Sequence, residues 1–227
     1  MVSRLPRWVE YGAFVLALTA GCINAIGLLG VSHQALSHLS GTATSVGTSL
    51  AAFDLTGALL LVGVLVSFLL GAALSGFMLS GQSLELGRHY DSLLVIEGLL
   101  LMAAIYLLEN GHFLGACLAS AACGTQNALV TTYSGAVVRT THVTGIFTDL
   151  GLMLGSALRG EGFDRRKAIL FLLIISGFIV GGGAGARLYQ SLHFFALAAP
   201  AATCLVLAVS YRIYSRRTRT QARNHST

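Results

Sequence analysis

The sequence has 227 residues, of which 55% are hydrophobic and only 10% are charged, and its formal net charge is +5. Soluble domains carry about 25% charged residues, so this composition excludes an ordinary soluble fold and predicts an all-α integral membrane protein. The apolar runs show no alternation with a period of two, which argues against a membrane-spanning barrel.

Six apolar stretches are each close to the length of about 20 residues that crosses a bilayer. They lie at about 8–30, 54–79, 91–108, 112–133, 167–190 and 193–212. Two further segments, about 33–52 and 136–158, are too polar or too interrupted by glycine to face lipid. We therefore predict a single membrane domain, 1–227, with six transmembrane helices and two broken or re-entrant segments. Eight full crossings stay an alternative.

The first span resembles a lipoprotein signal, because a basic start and an apolar run precede Cys22. Thr19, however, stands three residues before the cysteine, where leucine is usual. The pattern Gly-x-x-Asn-Ala at 21–25 also recurs at 124–128, deep in the chain. We expect an uncleaved first span.

Basic residues predict the orientation in the membrane. Arginines follow the last span in a basic tail, 212–227, at Arg212, Arg216, Arg217, Arg219 and Arg223. The positive-inside rule places this tail in the cytoplasm, and Arg4 and Arg7 place the N-terminus there too. We expect a multi-pass protein of the bacterial cytoplasmic membrane whose partner is the lipid bilayer. A nucleic-acid partner is not expected, since the tail directly follows an apolar span.

Four ordered matches relate the two halves of the chain. They pair GCINA (21–25) with GTQNA (124–128), SHLSG (37–41) with THVTG (141–145), Phe53-Asp54 with Phe163-Asp164, and FLLG (68–71) with FIVG (178–181). Repeat 1 covers about 8–110 and repeat 2 about 111–214, and each aspartate could cap the next span. Each repeat holds three spans, an odd number, which predicts a 3+3 inverted repeat.

Inverted repeats with discontinuous helices at matching positions are typical of secondary transporters, whose substrate site lies near the midplane. A helix that starts inside the membrane has free N–H groups and a positive end, and such backbone is tolerated only inside protein or beside water. We predict a small secondary transporter or permease for a small polar or anionic solute. The starts of the two broken helices should approach each other in the interior. A homodimer is expected, because 227 residues would form a thin wall around a pathway.

The predicted pathway residues come from the matched motifs. They are Asn24, His38, Ser40, Gly41, Thr42, Gln126, Asn127, Arg139, Thr141, His142, Thr144 and Gly145. Asn24, Gln126 and Asn127 either line the path or bridge helices as buried amides. Arg139 either anchors an anionic substrate or lies at the cytoplasmic interface.

Asp149 should lie about one turn into the second broken helix, where a carboxylate is costly. It is the predicted coupling-ion or proton site, and a salt bridge with Arg139 is the alternative. Glu97, in the third span, either titrates or reaches the interface. His38 and His142 precede the two broken helices. Capping or hydrogen bonding is favoured for both, since a metal needs three or four donors. No metal and no cofactor is expected.

The motif pair "TAGCINAIGLL…HLSGT" and "ACGTQNALV…RTTHVTGIFTDLG" resembles the YoaK family of small bacterial membrane proteins over nearly the whole chain. The second motif fits at Gly124, Gln126, Asn127, Arg139, Thr140, Thr141, His142, Thr144, Gly145, Thr148 and Asp149. The first departs, with Asn24 in place of the usual aspartate and Ser40-Gly41-Thr42 in place of Thr-Gly-Asn. If that aspartate carries protons in relatives, this chain lacks the step. The resemblance implies six spans but no established substrate.

Two other function classes stay open. An intramembrane enzyme would use a GxSG serine, an HExxH motif or paired intramembrane aspartates, none of which the sequence contains. A channel, or a partner subunit of a membrane complex, would need none of these. The run GGGAGA at 181–186, with the glycines after Phe68, predicts close helix packing rather than phosphate binding.

Overall fold

A computed structural model describes residues 8–31, 34–79, 89–134 and 139–224, which form eight α-helices, one short 3-10 turn and no strand. The α-helices are α1 (Trp8–Gly30), α2 (Leu39–Ala51), α3 (Leu55–Met78), α4 (Tyr90–Glu109), α5 (Leu114–Tyr133), α6 (Val143–Leu158), α7 (Arg165–Leu192) and α8 (Ala198–Asn224). The 3-10 turn, His193–Leu197, joins α7 to α8. The all-α prediction is confirmed, with helices at all six apolar stretches and in both ambiguous segments.

Within these residues, four stretches have the length and apolarity to cross a bilayer. They are Val9–Gly30, Leu55–Met78, Tyr90–Glu109 and Arg165–Ser215, the last of which covers α7 and most of α8. α5 is equally long, but Thr125, Gln126 and Asn127 make its centre polar, and the first two are completely buried. The chain is therefore a helical membrane protein.

The basic residues of the predicted tail are part of a helix, because the backbone of α8 continues to Asn224. Arg4 and Arg7, and the side chains of the arginines after Arg212, lie outside the described residues.

Two apolar clusters fill the interior, one at each end of the long helices. The first joins the starts of α1, α4 and α7 to the end of α5 and the middle of α8, with Val9, Leu93, Leu170, Tyr133 and Ala208 as members. The second joins the ends of α1 and α4 to the starts of α5 and α8, with Ile26, Leu108, Ala116 and Ala201 as members. Helices α1, α4 and α7 thus run in one direction, and α5 and α8 run in the other.

Two hydrogen bonds between α3 and α5 fix the direction of α3. Ser120 donates to the carbonyl of Val64 at 3.0 Å, and Ser75 donates to the carbonyl of Thr125 at 2.8 Å. The numbering rises together along both helices, so they are parallel. Each of these hydroxyls hydrogen-bonds the backbone of the neighbouring helix and so has a partner in the absence of water.

Ion pairs join the helix ends beside the first cluster. Arg166 at the start of α7 lies 2.9 Å from Glu10 in α1, and Arg212 just past the middle of α8 lies 3.6 Å from Asp91 in α4. These pairs agree with the directions that the apolar clusters give. They also place two arginines at the same end of the molecule.

The closest helix crossings occur twice, at positions that the sequence matches pair. A Cβ at Gly21 would collide with the carbonyl oxygen of Phe178, and one at Gly124 would collide with that of Phe68. Likewise, a Cβ at Gly181 would collide with the backbone of Leu18, and one at Gly71 with that of Ala121. Glycine is thus required where α1 crosses α7 and where α5 crosses α3, as the glycine-rich runs predicted.

The two matched aspartates cap their helices, as predicted. Asp54 precedes α3 and accepts a hydrogen bond from the backbone N–H of Gly57 at 2.9 Å. Asp164 precedes α7 and accepts one from the N–H of Lys167 at 3.0 Å. Each carboxylate therefore satisfies one of the free N–H groups of a first turn.

The short helices α2 and α6 lie outside the long ones. α2 packs on α3 and α6 packs on α7, and extensive packing between α2 and α6 is absent from the described part of the chain. Thr42 is buried in α2 and Ile146 is buried in α6. The lead-in segments before these helices, residues 34–38 and 139–142, enter the bundle, since Leu36, Ser37 and Thr140 are buried.

Candidate functional site

Asn24 holds the first lead-in segment against the long helices. Its Oδ1 accepts two hydrogen bonds from Ser37, one from the hydroxyl at 2.9 Å and one from the backbone N–H at 3.2 Å. Asn24 lies about two-thirds of the way along α1, so the segment reaches deep into the bundle before α2 starts. Asn24 therefore joins α1 to the lead-in segment, whereas the sequence predicted either a bridge between helices or a place on the solute path.

Gln126 does the same for the second lead-in segment and also binds an acid. Its Oε1 accepts a hydrogen bond from the hydroxyl of Thr140 at 3.3 Å, and its Nε2 donates to Oε1 of Glu97 at 2.9 Å. All three residues are completely buried. Glu97 thus lies in the interior, and the alternative that it reaches the interface is wrong.

The two anchors occupy neighbouring rather than identical positions of the matched sequence motifs. Asn24 matches Asn127, whereas Gln126 matches Ile23. Ile23 and Leu36, which match Gln126 and Thr140, are both completely buried and belong to the same apolar cluster. One contact between α5 and its lead-in segment is therefore polar where the corresponding contact of α1 is apolar.

Asn127 differs from its match Asn24. Its Oδ1 is buried and has no hydrogen-bond partner among the described residues, whereas the corresponding oxygen of Asn24 has two donors. Thr141, the match of Ser37, is half-buried. An unpaired buried amide oxygen costs free energy, so this oxygen is an available acceptor beside the second lead-in segment.

The two histidines occupy the N-cap positions of α2 and α6 without making side-chain capping bonds. Nε2 of His38 lies 3.3 Å from the hydroxyl of Ser40. A Cβ at Gly41 would come within 3.1 Å of the His38 ring, and one at Gly145 would collide with the ring of His142. The three-residue spacing from histidine to glycine, which both motifs share, thus leaves room for the imidazole ring over the first turn of each short helix.

The serine and threonine side chains at the starts of α2 and α6 differ in their exposure. Thr42 is buried and donates to the carbonyls of Ala35 and His38 at 3.2 and 3.4 Å. Ser40 and Thr144, at matched positions, are exposed. The outer side of each helix start is therefore exposed, and the inner side of α2 is hydrogen-bonded to its lead-in segment.

Asp149 lies in α6 and pairs with Lys167 of α7, with 3.7 Å between Oδ2 and Nζ. Its side chain is 48% exposed, and it borders a cavity of about 400 Å³ that Glu161, Asp164 and Lys167 also line. Its salt bridge is thus with Lys167 and not with Arg139, which is exposed. The roles of Asp149 and Arg139 in coupling or substrate binding stay predictions.

Sequence reasoning missed three participants: Ser37, Thr140 and Lys167. Ser37 and Thr140 lie inside the matched motifs or beside them, and a pairing of buried hydroxyls with the helix amides could have found them. Lys167 had no such signal, because its partner lies on another helix. Within the ranges described, no group of three or more His, Cys, Asp or Glu side chains could hold a metal ion.

Comparison with known proteins gives one match. Residues 12–210 match the model of a protein family described as "Protein of unknown function (DUF1275)". Searches of curated proteins and of solved structures return no match. YoaK-like proteins belong to the matched family, so the resemblance seen in the sequence is confirmed. The match covers most of the chain, and the protein belongs to this family.

Proposed function

We propose that this protein is a small secondary transporter, or permease, that moves a small polar or anionic solute across the bacterial cytoplasmic membrane. The observation on which this rests is the pair of lead-in segments. Each follows the first long helix of its half, enters the bundle beside a polar side chain, and starts a short helix there. Interrupted helices at matching positions of two repeats characterise transporters.

The proposed topology has six crossings with both termini in the cytoplasm. The end of the molecule where α1, α4 and α7 start also holds Arg166 and Arg212, which favours the cytoplasmic side. From there the chain leaves on α1, α4 and α7 and returns on α3, α5 and α8. The segment with α2 then begins and ends outside, and the segment with α6 begins and ends inside.

This arrangement supports an inverted repeat. α1 crosses α7 through Gly21 and Gly181, and α5 crosses α3 through Gly124 and Gly71. Each crossing joins the first helix of one half to the third helix of the other half. The same contacts at matched positions, on helices of opposite direction, fit two halves related by an axis in the membrane plane.

Electrostatics favour a polar or anionic solute. Each short helix begins beside the bundle with a positive end equivalent to roughly half an elementary charge. Ser40 and Thr144 are exposed at these ends, and Arg139 is exposed just before the second. Asp149 offsets part of this charge but is itself paired with Lys167. The balance around the second helix start is positive, and a bare cation would be repelled there.

A second copy of the chain is proposed to cover α2. Its outward side carries small residues at helical spacing, with Ser40, Ala43, Thr44, Gly47 and Thr48 exposed. Small residues four apart allow close approach of helices in a membrane. A cysteine at Gly47, which has open space around it, should cross-link in native membranes. A cysteine at Gly76, also in open space on α3, is the control.

The function is tested by uptake into proteoliposomes with a panel of organic anions, neutral polar solutes and organic cations. We expect saturable uptake of an anionic or neutral polar solute that falls at least tenfold in Arg139→Ala and Thr144→Ala, equivalent to about 1.4 kcal/mol or more. Thr203→Ala is the control, because that hydroxyl bonds within α8. Saturable uptake of cations alone, unchanged in both variants, would contradict the proposal, and unsaturable conductance would indicate a channel.

A further inference from the structure

Glu97 is a carboxyl group in the interior of the bundle, and the described residues supply no counter-charge for it. It lies in the first half of α4 and is completely buried. Oε1 accepts the hydrogen bond of Gln126, and Oε2 has no oxygen or nitrogen partner in residues 8–31, 34–79, 89–134 and 139–224. An intramembrane acid of this kind is expensive to keep and usually has a function.

The groups around Glu97 are neutral or weakly polar. The titratable groups that interact with it are Tyr90 on its own helix, Cys123 on α5 and Cys204 on α8. Of these three groups, Cys204 can donate from its thiol to the carboxyl of Glu97, and a thiol is only a weak donor. None of these three can neutralise a carboxylate, so a charge on Glu97 would be uncompensated among its described neighbours.

A chain of hydrogen bonds joins this acid to the start of α6. Glu97 accepts from the amide of Gln126, whose oxygen accepts from Thr140. Thr140 lies two residues before His142, the N-cap residue of α6. A charged acceptor forms a shorter and stronger hydrogen bond than a neutral one, so ionisation of Glu97 would pull on the amide of Gln126. The amide in turn holds the lead-in segment.

The first repeat lacks this connection. Ile23 and Leu36 stand at the positions that match Gln126 and Thr140, and both are buried in an apolar cluster. Asn24 anchors that segment through Ser37, its hydrogen-bond partner among the described residues. Only the second lead-in segment is therefore joined to an acid in the part of the chain that the structure describes.

We infer that Glu97 is a proton-exchange site that sets the position of the start of α6 through Gln126 and Thr140. In the neutral form the proton is on Oε2, since Oε1 accepts from Gln126. On release the proton passes to water, and the start of α6 shifts as water or a cation reaches the carboxylate. This inference rests on the proposed function only in taking the start of α6 as part of the solute pathway.

Infrared difference spectroscopy tests proton exchange without any substrate. Full-length protein in lipid nanodiscs is taken from acid to alkaline buffer, and the loss of protonated-carboxyl stretching bands is recorded. We expect one of these bands to disappear in Glu97→Gln. Glu109→Gln is the control, because Glu109 is exposed at the other end of α4 and accepts from the N–H of Phe194. A spectrum unchanged in Glu97→Gln overturns the inference.

Labelling with a maleimide tests the connection to α6. Thr144→Cys and Ser40→Cys place thiols at matched, exposed positions of the two helix starts. The ratio of their labelling rates cancels the common dependence of thiol reactivity on pH. We expect this ratio to change severalfold between acid and alkaline buffer, and to become constant when Glu97→Gln is added. A ratio that still changes by the same factor overturns the inference.

A second variant covers the case in which Glu97→Gln does not fold. The double variant Gln126→Ile with Thr140→Leu copies the apolar pair of the first repeat. It should keep the carboxyl band and lose the pH dependence of the ratio, and retention of both overturns the connection. Failure of uptake with both of these signals intact would instead count against the proposed transport function.

Discussion

The two lead-in segments have the same backbone plan and different chemistry. Each leaves a long helix, enters the interior, and turns into a short helix at a histidine N-cap. The first is held by an amide and a serine, whereas the second is held by an amide, a threonine and a buried acid. The two segments thus share a backbone plan, while one side-chain contact is apolar in the first and polar in the second. In an inverted arrangement this difference would make the two sides of the membrane inequivalent.

The largest loss of stability should come from larger side chains at the matched helix crossings. Gly21→Val and Gly124→Val would place carbon atoms on the carbonyl oxygens of Phe178 and Phe68. Overpacking against backbone costs about 1–3 kcal/mol or more, and neither helix can give way without moving the whole crossing. We expect both variants to lower the melting temperature strongly and to a similar extent, as measured by thermal unfolding in nanodiscs.

The controls for this prediction are Gly47→Val and Gly76→Val, since both glycines have open space around them. A strong effect at Gly124 with none at Gly21 would break the equivalence of the two crossings. Equal effects would support two halves that are built on the same contact.

Removal of the anchoring amide should destabilise the protein by different amounts in the two lead-in segments. Gln126→Ala leaves Glu97 and Thr140 without their partner, and each unsatisfied buried group costs about 1–3 kcal/mol. Asn24→Ala removes two bonds to Ser37, but Asn24 is only half-buried and water can replace part of the loss. We expect Gln126→Ala to lower the unfolding free energy more than Asn24→Ala. An equal or reversed order would show that the acid adds nothing to the stability of the second segment.

Removal of either helix cap should lower the stability by a smaller amount, and by the same amount for both caps. Asp54→Ala and Asp164→Ala each remove a carboxylate that accepts one backbone N–H of a first turn. Loss of an N-cap costs about 0.5–2 kcal/mol, and asparagine restores the bond. Melting temperatures should therefore fall modestly in both alanine variants and recover in Asp54→Asn and Asp164→Asn. A fall that asparagine does not reverse would point to the charge rather than the cap.

Helix positions and caps could be predicted from the sequence, and the polar network could not. Apolar length and the clustered serine, threonine and glycine residues mark the long and short helices, and Asp54 and Asp164 mark two helix starts. The partners of Glu97 and Asp149 depend on how each helix is rotated about its axis. That rotation is set by packing across the bundle, at glycines such as Gly71 and Gly181. One local signal existed: Gln126 and Thr140 are both polar where Ile23 and Leu36 are apolar.

The smallest effect on stability should come from the ion pair on α6. Asp149 and Lys167 lie 3.7 Å apart, and their side chains are 48% and 33% exposed. An exposed pair contributes about 0–1 kcal/mol, so Asp149→Asn and Lys167→Gln should leave the melting temperature nearly unchanged.

Uptake measurements distinguish the two roles considered for Asp149. If it carries the coupling ion, Asp149→Asn abolishes uptake whereas Lys167→Gln retains it. If the pair only fastens α6 to α7, both variants change uptake slightly and to the same extent. If the pair is only structural, Glu97 is the remaining intramembrane acid among the described residues. Coupling to protons would then depend on Glu97 and its connection to the second lead-in segment.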